Sequence, residues 1–218
     1  MSLPKILQRT RSLAGAAGIA SLSFAPACAL LSKSEPNIPR YFSPETASAP
    51  AAPTAPMPES GLEMRLGVVK ADGYIKDKIV HRDSTYEVGY YEERLWTDKP
   101  EAYVRRALAR DLFDRRGVRE VVSGVGTTLD VDVVAFEEVM KPRHVGRIEL
   151  TYVLYDDRIV RLSRSIMVER PIADAKGDAA AGAAVQAMAD ALAAAVDGVA
   201  DATVAELRSE TAPSKPAP

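Results

Sequence analysis

Residues 127–169 restrict the fold more than any other part of this chain. In "TTLDVDVVAFEEV" (127–139), Leu129, Val131, Val133 and Ala135 at first alternate with polar residues. In "RIELTYVLY" (147–155), Ile148, Leu150, Tyr152 and Leu154 alternate with Arg147, Glu149 and Thr151. In "IVRLSRSIMVE" (159–169), Val160, Leu162, Ile166 and Val168 alternate with Arg161, Ser163, Ser165 and Glu169. A period of two puts each apolar set on one side of a strand. The links, "MKPRHVG" and "DDR", are too short for a crossover, so the three strands form an antiparallel meander covered on one side.

Two helices supply the cover. "TDKPEAYVRRALARDLFDRRG" (97–117) carries Val104, Leu108 and Leu112 at four-residue spacing. Thr97 or Asp98 suits its cap, Pro100 its first turn and Gly117 its end. "DAAAGAAVQAMADALAAAVDGVADATVAELRS" (178–209) repeats Val185, Met188, Leu192, Val196, Val199, Thr203 and Leu207, a single apolar stripe, with Gly182 and Gly198 as points of weakness or bending. Upstream, "LEMRLGVV" (62–69) places Leu62, Met64, Leu66 and Val68 on one side of a strand. "KIVHR" (78–82) and "STYEVGYYEERLW" (84–96) follow, with Tyr86, Val88, Tyr90 and Trp96 of like parity. The expected fold is α+β: a two-layer, largely antiparallel sheet with two helices on one face, spanning 62–209. Trp96 then belongs to the sheet–helix packing, and Tyr91, of opposite parity, faces the free side as a partner contact.

The chemistry of the chain is sparse. A net charge of −2 and a pI near 5.8 give no reason to expect nucleic acid as partner. "HRD" (81–83) lacks the rest of a kinase catalytic loop, and "GVGTTL" (124–129) leads into a strand instead of a helix. His81 and His144 are the only histidines, and no metal motif joins them. The acidic pairs Glu92/Glu93, Glu137/Glu138 and Asp156/Asp157 read as solvated charge, because adjacent strand residues point to opposite faces. No catalytic residue, metal site or non-covalent cofactor is expected. No run of 18 apolar residues follows Cys28, so no ordinary membrane-spanning helix is expected there.

The amino terminus has the layout of an export signal: a basic stretch to Arg11, an uncharged apolar stretch to Phe24, then small residues. Lys5, Arg9 and Arg11 are the only charged residues before Cys28, which leaves −5 of the net −2 to the remainder. The single cysteine of the chain stands at this junction, where it has no partner for an intrachain disulfide. "FAPAC" resembles the lipobox of bacterial lipoproteins, which implies a signal over 1–27 and a covalent lipid on Cys28. Ala29, in place of the Asp that retains lipoproteins in the inner membrane, implies transfer to the outer membrane. The Pro/Ala-rich segment over 28–61 reads as a tether, and 210–218 as a disordered tail.

With these features in order, the chain resembles the ABC-type transport auxiliary lipoprotein family. Cys28, the segment "KDKIVHRDSTYEVGYYEERLWTDKPEAYVRRALARDLF" (76–113), the meander and the final helix carry the resemblance. It implies a non-enzymatic, acylated lipoprotein of the cell envelope, with its domain in the periplasm. The implied partners are an ABC system for lipid or solvent transport and its periplasmic mammalian-cell-entry (MCE) protein, with self-association left open. The alternative is a structural envelope lipoprotein that works without a transporter.

Overall fold

The computed structural model describes residues 38–45, 61–157 and 159–211. Cys28, the signal over 1–27, most of the expected tether and the tail from 212 lie outside the described residues. Eight strands form one sheet: β1 (Arg40–Phe42), β2 (Glu63–Ala71), β3 (Lys78–Arg82), β4 (Val88–Trp96), β5 (Arg119–Glu120), β6 (Thr128–Val139), β7 (Val145–Tyr155) and β8 (Val160–Pro171). Helix α1 (Pro100–Ala109) continues into a π-helical turn, Arg110–Arg115, and α2 spans Asp178–Thr211.

The meander is as expected: β6 pairs β7 and β7 pairs β8, both antiparallel and over nearly their whole lengths. The other edge of β6 is shared. Its first half takes β2 and its last three residues take β3, both parallel to it. The chain thus leaves this edge after Ala71, makes an excursion over 72–77, and rejoins the same edge at β3. Strand β4 then pairs β3 antiparallel, and β1 and β5 add short parallel pairings to β4 and β2. The sheet is therefore mixed, with antiparallel order in its longest ladders.

Both helices cover one face. The stripe from Val185 to Leu207 is buried throughout, and Val104, Leu108 and Leu112 are fully buried. Helix α2 runs unbroken through Gly182 and Gly198 and extends two residues beyond the expected end. Its length and composition (mean hydropathy 1.5) would suit a membrane span. Its apolar stripe instead forms the core with Leu129, Ile148, Leu150 and Leu154. The helix lies very close to the sheet at Gly146, where an added Cβ would sit 2.7 Å from the Met188 backbone nitrogen. Gly117, at φ 66°, ends the α1 segment as expected, and the Val118 amide donates back to the Leu112 carbonyl. At the α1 start neither Thr97 nor Asp98 is the cap. Lys99 holds that place, and the Tyr103 hydroxyl instead joins Thr97 Oγ1 (2.7 Å) and accepts the Asp98 amide (2.8 Å).

Simple alternation fails at several positions, each beside a register shift. In β2 the register slips between Leu66 and Val69, so Val68 is 59% exposed while Val69 packs on the core. Arg105 of α1 donates to the Leu66 and Gly67 carbonyls there, which satisfies backbone that the irregularity frees from pairing. In β6 the slip between Val133 and Ala135 puts Phe136 opposite Ile148 in the core. In β8 a slip beside Tyr155 leaves Val160 exposed.

The segment 40–45 also departs from expectation. The expected tether over 28–61 includes it, yet Arg40–Phe42 form an edge strand and Phe42 packs against the core. The Thr97 amide donates to the Phe42 carbonyl at 2.9 Å. Glu45 accepts two hydrogen bonds of 3.1 Å from Arg106. Three residues are too few to display a period, so the sequence holds no local sign of this strand.

Candidate functional site

Trp96 lies in the core as expected, with its ring edge-on to Phe136 (5.2 Å between centroids) and to Tyr103 (6.1 Å). Tyr91 requires a correction. Between the pairs Val80–Tyr90 and Lys78–Leu95, β4 advances five residues while β3 advances two. Three extra residues, an odd number, invert parity along the strand. Tyr91 therefore turns to the same side as Trp96 and packs partly buried against the core, while Tyr90 turns outward. The free-face contact expected of Tyr91 is not available in this geometry.

Around Tyr91 stands an ionic cluster. The Arg94 guanidinium lies 3.8 Å from the Tyr91 ring centroid, and His81 lies 4.7 Å from it, ring to ring. Burial first, then the Glu138 carboxylate, push the Tyr91 hydroxyl up to about 12. Glu138 is 3% exposed, with His144 Nε2 at 2.6 Å and Arg94 at 3.7 Å. His81 Nδ1 in turn faces Asp83 at 2.9 Å.

The neighbouring carboxylate, Glu137, is 1% exposed and on the opposite face of β6. Arg82 grips it through two hydrogen bonds of 2.8 and 3.0 Å, and Arg147 approaches at 3.4 Å. Arg147 also holds Glu169, which pairs with Arg143. Tyr74, from the 72–77 excursion, lies over this region, and its hydroxyl donates to the Val134 carbonyl at 2.7 Å. Burial, followed by repulsion from Glu137, raises that hydroxyl to about 12.

Glu137 and Glu138 are thus not solvated charge. They are buried anions, each compensated on its own side of the sheet, because β6 is flanked on both edges where they sit. The opposite-face reading of the pair holds, and it keeps the two from acting as a joint acid and base. Among the described residues, no group of three His, Cys, Asp or Glu side chains is placed to hold a metal ion. What this arrangement does chemically is clamp: Arg82–Glu137 ties β3 to β6, and Arg94 and His144 converge on Glu138 from β4 and the β6–β7 turn.

Several apolar side chains are also exposed. They are Ile38 just before β1, Tyr41 on β1, Tyr86 in the turn leading into β4 and Val88 on β4, while Val122, Val125 and Ile159 are exposed in the β5–β6 and β7–β8 connections. Like parity places Tyr86 and Val88 with Trp96 against the helix, but the register shift in β4 reverses the facing and leaves both exposed, while the apolar residues in the connections carry no period.

Comparison with known proteins agrees with this architecture. A family model described as the ABC-type transport auxiliary lipoprotein component matches residues 45–200. Among solved structures, protein XCC0632 from Xanthomonas campestris is 18% identical and superposes with a TM-score of 0.65, covering 79% of this chain and 99% of its own. An uncharacterized protein is 15% identical with a TM-score of 0.58, covering 76% of this chain and 99% of its own. At these identities the likeness concerns the fold alone. No curated protein matches the chain. The family match runs from Glu45 through β2–β8 and into α2, and by it the chain belongs to the ABC-type transport auxiliary lipoprotein family.

Proposed function

We propose that this protein is an outer-membrane lipoprotein, acylated at Cys28, whose periplasmic domain docks the MCE-type component of an ABC system for lipids or solvents. Membership of a transport auxiliary family, matched over 45–200, is the observation that carries this reading. Its role is to bind, not to catalyse. Glu137 and Glu138 are committed to ion pairs on opposite faces, and the chain has no phosphate-binding loop, so a separate ATPase subunit provides the energy. Acyl chains, palmitate among them, would add roughly 0.8 kcal/mol of membrane affinity per buried methylene, and several chains together make the attachment lasting. Ala29 permits sorting to the outer membrane.

Affinity purification from solubilised envelopes tests the proposal. The expected result is recovery of a permease, an ATPase and an MCE protein with this chain. Recovery of the intact lipoprotein without any of them would favour a structural envelope role and overturn the docking function. Mass spectrometry should find the mature chain beginning at Cys28 with added acyl mass. A mature terminus elsewhere, or an unmodified Cys28, would remove the anchor.

A further inference from the structure

From the docked segment 38–45 and the exposed side chains beside it, we infer that the β1–β4 edge of the sheet rests on the lipid surface. The inference depends on acylation of Cys28, as proposed above. Two independent observations converge on it.

The first is chain length. Were the whole of 28–61 a tether, the domain could stand far from its anchor. The β1–β4 pairing, the Phe42 packing and the Glu45–Arg106 clamp instead fix the chain to the domain from residue 40 onward. Only twelve peptide steps separate Cys28 from Arg40, where the docked chain begins. Fully extended, they span at most about 43 Å. The 12 residues of β6 alone extend about 40 Å, so the leash can hold the docked segment no further from its anchor than about one length of the domain. Residues 46–60 return the chain from Glu45 to the start of β2, and their length adds nothing to the reach of the anchor.

The second is the chemistry of the surface where the leash arrives. Ile38 is 73% exposed and Tyr41 65%, and because β1 runs parallel to β4 the leash enters from the end where β4 begins, at which Tyr86 is 96% exposed and Val88 partly exposed. Tyr41 is paired with Leu95 while its neighbour Phe42 is paired with the buried Trp96, which places Tyr41 on the sheet face away from the helices. Tyrosine suits a membrane interface, with its ring among the upper acyl segments and its hydroxyl at headgroup level. The exposed valines at 122 and 125 lie beside the start of β6, at the end of the sheet where β2 begins, and the leash does not arrive there.

The test uses the full-length acylated protein on vesicles of phosphatidylethanolamine and phosphatidylglycerol. Tyr41→Cys, Tyr86→Cys and Val125→Cys each place one environment-sensitive fluorophore, and a lipid-borne quencher reports depth. Labels at 41 and 86 should be quenched several-fold more than the label at 125. Equal quenching, or stronger quenching at 125, would overturn the inference. A spectral shift at 41 and 86 without quenching by lipid would also overturn it, because the cover would then be protein, such as a second copy. Failure to float with vesicles would sink the anchor itself and this inference with it. Flotation with unquenched labels at 41 and 86 would sink the inference alone.

Discussion

The carboxy-terminal half, β6–β8 with α2, and the amino-terminal half, β1–β4, share one sheet but are specified differently. In the first, each strand pairs with its neighbour in sequence through a short turn, so alternation and register reinforce one another. In the second, β2 and β3 meet the same edge of β6, which lies more than 50 residues further along the chain. Pairing at such separation is set by where the chain docks, and irregularities absorb the mismatch: the slip in β2, the excursion over 72–77 and the three extra residues in β4. Local pattern is therefore a good guide to facing over most of the meander, failing at Phe136 and Val160 beside its two register shifts, and a poor one among β2–β4.

The largest effect should come from the junction where the two halves share a core. Trp96→Ala and Phe136→Ala remove facing rings, and each should cost about 3 to 5 kcal/mol in chemical denaturation. If only Phe136→Ala is strongly destabilising, the amino-terminal half is not cooperatively joined to the meander. Arg82→Ala should follow at about 3 kcal/mol, because it strips the bidentate partner from a carboxylate that remains buried on β6. The double variant Arg82→Ala with Glu137→Gln should lose distinctly less than the sum of the single losses, and simple additivity in a double-mutant cycle would contradict the clamp.

A smaller effect depends on pH through Tyr91 in the amino-terminal half. Its folded value of about 12 stands above the ordinary value of 10. Between these values the unfolded chain releases the proton and the folded protein retains it, so stability falls as pH rises from 10 to 12. Tyr91→Phe should flatten part of that fall, measured by urea unfolding at pH 8 and pH 11, and an unchanged fall would mean that the Tyr91 hydroxyl is not held beside Glu138. Tyr74, Tyr152 and Tyr155, all raised chiefly by burial, contribute in the same direction. Least affected should be Val68→Thr and Val160→Thr, each within about 0.5 kcal/mol. A loss above 2 kcal/mol in thermal unfolding would mean that these residues face the core, as plain alternation has it.

The sequence by itself determined the meander, the buried stripe from Val185 to Leu207 and the α1 row of Val104, Leu108 and Leu112. These follow from periodicity and turn length, which act between residues close in the chain. The tertiary structure alone decided the facing of Tyr91 and Val68, the burial of Glu137 and Glu138, and the capture of residues 40–45. An odd number of extra residues in a strand reverses its facing without altering its composition. A carboxylate in a strand is solvated or buried according to what lies on its flanks, and here Arg82 and Arg94 arrive from β3 and β4, whose docking the local sequence around β6 does not encode. A three-residue edge strand has too few side chains to show a period, and it exists because β4 offers an open edge and α1 offers Arg106.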